Sequence, residues 1–202
     1  MNHSLQWSSD IARMKAELSW LDAVFVAEPE AQLLSSKAYR VVATIDSGRV
    51  FSRRFYEAIR CWGRQGAVGP AFLVVRSPDP IAYYWGDFGV VPLVEISMST
   101  SGDLFLETLH FEPSGGADSI STLAEEFVFF DDSRDWIFLV ERNGELARLF
   151  VKVNADGDQY KNCLPQEWCF DARDVEEHLQ RFALSPSEIG EIAKTVIGLS
   201  AK

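Results

Sequence analysis

The sequence predicts an α+β fold with a mainly antiparallel central sheet of about six or seven strands, on which helices from the N-terminal part and a C-terminal helix pair are packed. Apolar residues recur every three or four positions near both ends of the chain, which is typical of amphipathic helices. Short β-branched and aromatic runs separated by turn residues fill the middle, which is typical of antiparallel strands. With 202 residues, 47% of them hydrophobic, we expect one domain over residues 1–202, with a possible joint between lobes near 112–119.

The first third of the chain predicts a helix, a strand and a second helix. Apolar spacing over residues 9–27 predicts an amphipathic helix that begins at Ser9 or Asp10 as its N-terminal cap. Residues 39–45 (YRVVATI) are rich in β-branched side chains and predict a strand. After a turn, a second helix is expected over about 51–65. The apolar side of that helix carries Phe51, Phe55, Ile59 and Trp62.

Period-two runs predict strands in the middle of the chain. Residues 72–77 (FLVVRS) form one such run, which ends at two prolines that cannot join a strand ladder. Residues 91–98 (VPLVEISM) and 104–112 (LFLETLHFE) are separated by turn residues, so we expect them to be a second pair of strands. The glycine-containing stretch 112–119 predicts a loop.

A β-hairpin is predicted over residues 136–152. Asn143-Gly144 is the strongest short hairpin signal, because a two-residue type I′ turn needs positive φ at both central positions. This turn pairs Val140 with Ala147, Phe138 with Leu149 and Trp136 with Val151 on a core side. The other side is mixed, so we expect a helix or a partner to cover part of it. The mixed side carries Ile137, Leu139, Glu141, Leu146, Arg148 and Phe150.

Two helices are predicted at the C-terminal end. The apolar spacing of Val175, Leu179 and Phe182 predicts one helix over about 172–183. A second helix is expected to begin at Ser185, where Pro186 suits the first helical position and Glu188 completes a capping box.

The charge balance narrows the classes of partner. The formal net charge is −11. Nucleic acids and anionic membranes attract clustered lysine and arginine, so this balance argues against both of these partners. A basic protein suits an acidic chain better. Neither a nucleotide-binding motif nor a zinc-like cysteine and histidine pattern occurs, so the sequence predicts no cofactor and no metal, and it leaves the oligomeric state open.

The cysteines and the N-terminus bear on the compartment. Cys61, Cys163 and Cys169 are an odd number without CxxC spacing, so a disulfide framework is not expected and a reducing compartment is favoured. The first residues, MNHSLQWSSD, lack the basic start and apolar core of a signal peptide, and no apolar run approaches the length of a membrane span. We therefore predict a cytoplasmic protein.

Three aspartates, Asp131, Asp132 and Asp135, stand between two apolar runs in residues 127–140 (FVFFDDSRDWIFLV). Three interpretations stay open: a turn, since Asp and Ser side chains hydrogen-bond nearby backbone; an acidic surface for a basic partner; or a metal or acid–base site. Residues 101–135 carry nine acids and a single base, so the acidic surface is a real candidate. The turn is the simplest interpretation.

An arginine-rich segment follows the first strand. Residues 49–64 contain five arginines and one acid, and they could neutralise the acidic region inside the fold. Backbone N–H groups at a strand-to-helix junction can also hold an anion, so the junction is a candidate anion site. Its predicted residues are Ser47, Gly48, Arg49 and Arg53.

Residues 83–89 (YYWGDFG) place aromatic rings around two glycines, and Tyr84 and Trp85 are candidate anchors for a partner. The favoured function is a small acidic binding protein without catalytic residues, such as an inhibitor or immunity-type protein that neutralises a basic protein. Asp131, Asp132 and Asp135 would steer the encounter.

Two alternatives remain open. One is an enzyme or small-ligand-binding protein that uses the junction over residues 47–54 for an anionic group, with His110, Glu107 or Asp87 as acid or base. The other is a structural or regulatory subunit of a larger assembly.

Overall fold

A computed structural model describes residues 7–28, 33–65, 69–113, 116–182, 189–190 and 193 of the chain. The strands are β1 (Val26–Glu28), β2 (Leu33–Ser35), β3 (Tyr39–Asp46), β4 (Ala71–Ser77), β5 (Leu93–Ile96), β6 (Glu126–Asp131), β7 (Trp136–Glu141) and β8 (Leu146–Lys152). The helices are α1 (Ile11–Val24), α2 (Arg53–Gln65), α3 (Gly86–Phe88), α4 (Gly102–His110), α5 (Ile120–Leu123), α6 (Gly157–Lys161) and α7 (Ala172–Leu179). Short 3₁₀ turns occupy Ser47–Val50, Gln166–Trp168 and Gln180–Phe182, and a π-helical turn, Ile81–Trp85, leads into α3.

The predicted α+β fold with an antiparallel sheet is confirmed. Six strands pair in the order β3-β8-β7-β6-β4-β5, and every neighbouring pair is antiparallel. β1 and β2 form a separate two-stranded pair. Strands on both sides of residues 112–119 belong to the six-stranded sheet, because β4 pairs with β6.

The hairpin of β7 and β8 has the predicted register. Trp136 pairs with Val151, Phe138 with Leu149 and Val140 with Ala147. The predicted two-residue turn is wrong. The loop spans residues 142–145, Glu145 rather than Asn143 or Gly144 has a positive φ of 51°, and the Glu145 N–H donates to the Arg142 carbonyl at 2.9 Å. The predicted turn and the observed loop both give the same strand register. The alternation of the strands therefore predicts their pairing but not the type of turn.

The first face of the sheet, which carries the core side of this hairpin, is covered by helices. Phe55, Ile59 and Trp62 of α2 are fully buried against it, as predicted from their spacing. α4 and α5 cover the same face, with Phe105 and Ile120 buried. Aromatic contacts are dense here: the Trp62 ring stacks on Phe138 and tilts against Trp136, at centroid distances of 5.3 and 5.0 Å.

The second face is covered mainly by α1, so the expected helix over the mixed side of the hairpin is present. α1 begins after Asp10, whose side chain accepts a hydrogen bond from the Arg13 N–H at 2.9 Å. Met14 and Leu21 are fully buried against this face. A buried ion pair also lies on this face. Arg148 is fully buried and donates to the Glu141 carboxylate at 2.5 and 3.0 Å.

Residues 104–112 are a correction to the sequence analysis, because α4 occupies most of the segment predicted as a strand. Leu104, Leu106 and Thr108 alternate as in a strand, but Phe105 and Leu109 stand four apart, as on a helix. The Ser101 side chain accepts from the Leu104 N–H at 3.1 Å and begins the helix. A short apolar run fits either period, and the cap decides it here.

The cysteines are a second correction. Cys61 of α2 and Cys163, which follows α6, form a disulfide with a Cα–Cα distance of 5.6 Å. Cys169 is free. The odd number and spacing of cysteines say nothing about which two the fold brings together across 102 residues. Because structural disulfides persist mainly in oxidising compartments, the cysteines no longer support the predicted cytoplasmic location, which stays a prediction.

The C-terminal helix pair is described in part. α7 begins with a capping box in which the Asp171 and Asp174 side chains accept from each other's backbone N–H groups, and Val175 is fully buried. Of the helix predicted to begin at Ser185, the structure describes residues 189–190 and 193, which are helical, and Ile189 and Ala193 are buried. The predicted start of this helix over residues 185–188 lies outside the described residues. Among the residues that the structure describes, no helix is long and apolar enough to cross a membrane.

Candidate functional site

The turn between β6 and β7 contains the three aspartates singled out in the sequence. Asp131 is only 1% exposed. Its Oδ1 accepts from the backbone N–H and hydroxyl of Ser133 at 3.0 and 2.5 Å, and its Oδ2 accepts from Trp136 Nε1 at 2.9 Å. Asp131 is therefore a structural carboxylate that holds the turn, and it offers no surface to a partner.

The rest of this turn is also bonded internally. Asp135 accepts from Lys152 Nζ at 2.8 Å. Arg134 adopts a positive φ of 53°, pairs with Glu17 of α1 at 2.6 Å and lies 3.7 Å above the Trp20 ring. These contacts join the turn to α1.

Asp132 is the exposed aspartate of the turn. The carboxylates of Asp131 and Asp135 bind different groups, so the three aspartates do not share a ligand. Among the described residues, no cluster of histidine, cysteine, aspartate or glutamate side chains is arranged to hold a metal ion.

The aromatic segment 83–89 is mostly a core element. Tyr84 is fully buried, its ring contacts Trp7 edge-on at 5.0 Å, and burial raises its pKa. The Tyr83 hydroxyl donates to Asp118 at 3.1 Å. Trp85 is half-buried and packs against the second face of the sheet. Of the two predicted anchors, Trp85 alone keeps an accessible surface.

The strand-to-helix junction is already occupied by groups of the chain itself. The Gly48 N–H donates to the Asp46 carboxylate at 2.7 Å, and the Ser47 N–H donates to the Glu145 carbonyl at 3.0 Å. Arg53 pairs with Asp103. Of the two arginines among the four residues predicted for an anion site, Arg49 is the one whose side chain makes no hydrogen bond or ion pair among the described residues.

The acidic and arginine-rich regions do not neutralise each other as a whole. Among the described residues, the ion pair between Arg53 and Asp103 is the one that joins residues 49–64 to residues 101–135. Arg54 pairs instead with Glu167 at 2.6 Å, and Arg60 pairs with Glu57 in its own helix at 3.2 Å.

The outward side of α4 and the residue pair after it form an acidic and aromatic surface. We call Glu107, Phe111 and Glu112 the α4 surface. Phe111 is 43% exposed, and both glutamates are exposed. This surface was not among the predicted sites because the segment was predicted as a strand. The four-residue spacing of Phe105 and Leu109 was the signal for a helix, which would have placed Glu107 within the helix and Phe111 at its C-terminal cap.

The acid or base candidates of the alternative enzyme are not joined into a catalytic group. His110 Nδ1 lies 2.7 Å from the Ser121 hydroxyl. Glu107 is exposed on α4, and Asp87 is exposed on α3. Within the described part of the chain, no hydrogen bond or ion pair connects these three residues to one another.

A cavity of about 270 Å³ lies between the end of β3, the turns that follow β3 and α6, and α7. The Phe170 N–H donates to the Thr44 carbonyl at 2.8 Å, which fixes one wall to the sheet. His178 is buried with its Nε2 3.0 Å from the Gly144 carbonyl, which holds α7 at the hairpin loop. The lining residues are Asp46, Arg49, Glu167, Trp168, Phe170, Asp174, Glu177, His178 and Arg181.

Comparison with known proteins gives no relative for this chain. No family model matches it, and no curated protein or solved structure is similar to it.

Proposed function

We propose that this chain is a non-catalytic binding protein that holds a basic protein partner, with the α4 surface as its principal contact. An inhibitor or immunity-type protein that neutralises a cationic enzyme has these requirements: a rigid scaffold, exposed carboxylates and an apolar anchor. The observation that carries the proposal is the exposed Phe111, close in sequence to exposed Glu107 and Glu112, which make no ion pair among the described residues.

The local charge supports a cationic partner. Residues 77–133 contain eleven acids and neither lysine nor arginine. Within the described residues, Glu107 and Glu112 make no ion pair or hydrogen bond through their carboxylates. A partner's lysine or arginine would meet carboxylates that no cation of the described residues already pairs with, which favours fast, salt-sensitive association.

The exposed Phe111 ring supports a binding interface with apolar contacts and not an encounter driven by charge alone. Among the described residues, Phe111 and Val153 are the large hydrophobic side chains left exposed. An aromatic ring buries much apolar area on binding, so it can slow dissociation after charge has steered the encounter. The predicted contacts at Asp132, Asp135 and Trp85 stay part of the proposal as a second contact area.

Capture from a lysate of the source organism tests the proposal when it is followed by binding measurements on the purified partner. The test variant combines Glu107→Gln, Phe111→Ser and Glu112→Gln. The control combines Asp158→Asn and Glu176→Gln, which removes the same two charges from exposed positions elsewhere. We expect a basic protein whose Kd rises at least about tenfold with the test variant and much less with the control.

Two results would contradict the proposal. Equal weakening by both variants would mean that net charge alone attracts the partner. A partner that is acidic, or one whose Kd does not change between low and moderate salt, would remove the electrostatic basis. An Asp132→Asn variant tested beside them shows whether the β6–β7 turn contributes.

A further inference from the structure

We propose that the cavity beside α7 binds a small organic oxyanion, a molecule with a carboxylate or phosphate group on a flat apolar body, and that Arg49 and Arg181 are its principal ligands. This site uses elements distant in the chain from α4. It is independent of the proposed binding of a basic protein, and each proposal can fail without the other.

The carboxylates in the cavity wall are already engaged. Asp46 accepts from the Gly48 N–H at 2.7 Å and Glu167 pairs with Arg54 at 2.6 Å. The remaining two are Asp174, which accepts from the Asp171 N–H at 2.9 Å, and Glu177, which accepts from Arg173 at 2.7 Å. Each acid of the wall thus has a donor of the chain itself, which reduces its repulsion of an anion.

The two guanidinium groups in the wall are not engaged in the same way. Within the described residues, Arg49 makes no ion pair or side-chain hydrogen bond, and its guanidinium lies 5.7 Å from the Trp168 ring centroid. Among the described acids, Glu145 is the one within ion-pair distance of Arg181, at 4.0 Å, the limit of such a pair. Guanidinium groups bind carboxylate and phosphate through paired N–H donors. The guanidinium N–H groups of Arg49 and Arg181 are available for such contacts within the described part of the chain, so the cavity favours an oxyanion.

The apolar wall and the size restrict the rest of the ligand. Trp168 and Phe170 contribute aromatic side chains to the wall. A volume of about 270 Å³ is close to the lower limit of small-molecule sites. A single aromatic ring that carries one anionic group fits this volume, whereas a dinucleotide is too large.

Titration calorimetry on the whole chain tests the inference with three probes: inorganic phosphate, phenyl phosphate and benzoate. We expect saturable 1:1 binding of phenyl phosphate or benzoate, with a weaker response to inorganic phosphate because it lacks the ring. The preference between the two aromatic probes distinguishes a phosphate ligand from a carboxylate ligand. Arg49→Gln and Arg181→Gln should each raise the Kd at least about tenfold, the loss of one charge-assisted contact.

Arg64→Gln is the matched control, because Arg64 is an exposed arginine of α2 that does not line the cavity. The control should bind like the wild type. Absence of saturable binding by any of the three probes, or equal weakening by Arg64→Gln, would overturn the inference. A Trp168→Ala variant with unchanged phenyl phosphate affinity would contradict the role of the aromatic wall.

Discussion

The β6–β7 turn and the α4 surface are both acidic, but they use their carboxylates differently. In the turn, Asp131 is buried under three hydrogen bonds and Asp135 is paired with Lys152. On the α4 surface, Glu107 and Glu112 are exposed and have no partner within the described residues. The first group stabilises the fold, and the second is available to another molecule.

This difference shows why charge density is an incomplete guide to function. A bonded buried carboxylate supports its neighbours, and its removal leaves donors without acceptors. An exposed, unpaired carboxylate contributes little to stability and can be retained only for solubility or binding. Substitutions that separate stability from binding therefore test the comparison directly.

The largest expected effect is at Asp131. Asp131→Ala leaves the buried Trp136 Nε1 and the partly buried Ser133 N–H without their acceptor, so we expect a loss of about 3 kcal/mol in the free energy of unfolding. Asp132→Ala is the neighbouring control, with an expected change within about 0.5 kcal/mol. Urea denaturation measures both. Similar losses for the two variants would show that the difference drawn between the bonded and the exposed aspartate is wrong.

A pair of buried tyrosines extends the comparison to neutral groups. The Tyr56 hydroxyl donates to the carbonyls of Ser97, at 3.1 Å, and Thr100, whereas the Tyr84 hydroxyl has no hydrogen-bond partner among the residues that the structure describes. Tyr56→Phe should cost about 1 kcal/mol, and Tyr84→Phe should be neutral or slightly stabilising. Thermal unfolding of both variants checks the difference, and a clear loss at Tyr84 would indicate that its hydroxyl is bonded in solution.

Glu126 represents a third kind of carboxylate, one that is half-buried beside both like and opposite charge. Burial raises its pKa, Arg76 opposes this rise, and the neighbouring Glu141 adds to it. The folded chain therefore binds a proton at Glu126 more readily than the unfolded chain does. Consequently, an ionised Glu126 destabilises the fold at neutral pH, and this cost disappears as pH falls below the ordinary pKa of glutamate.

Glu126→Gln tests whether ionised Glu126 destabilises the fold at neutral pH. The variant should be more stable than the wild type at pH 7–8, by up to about 1 kcal/mol, and its advantage should vanish near pH 4. Denaturant unfolding across this pH range measures the difference. An advantage that grows as the pH falls would show that the pKa of Glu126 is lowered in the folded chain instead.

The smallest expected effect on stability is on the α4 surface. A variant with both Glu107→Gln and Glu112→Gln should unfold within about 0.5 kcal/mol of the wild type, because these carboxylates make no bond among the described residues. Urea denaturation beside the Asp131 variants gives the direct contrast. A loss above about 1 kcal/mol would make these glutamates structural and weaken the proposed binding role.

The fold was predictable where one pattern spans a whole element. The register of the β7–β8 hairpin followed from alternation over many residues, and α1 followed from its stripe and the Asp10 cap. α4 was not predictable with the same security, because its short apolar run suits both a helix and a strand. The cap at Ser101 resolves the ambiguity only once its hydrogen bond is seen.

The candidate sites were less predictable, because they depend on contacts between distant residues. The sequence identifies Asp131 and Tyr84 as polar or aromatic, but burial and bonding decide that they are structural. The cavity combines Arg49 with Arg181, and no local pattern connects residues so far apart in the chain. The pairing of Cys61 with Cys163 was not predictable for the same reason, since these cysteines are also far apart in the chain.

That disulfide makes a covalent ring from Cys61 to Cys163, and the ring contains β4 to β8, while β3 and α1 lie outside it. A protease that cuts one peptide bond inside the ring, for example in the exposed turn at Asp132, would leave a single covalent molecule. Two fragments would separate on a denaturing gel only after a reductant is added. The oxidised chain can thus be cut within its sheet region while the disulfide still joins the two fragments covalently.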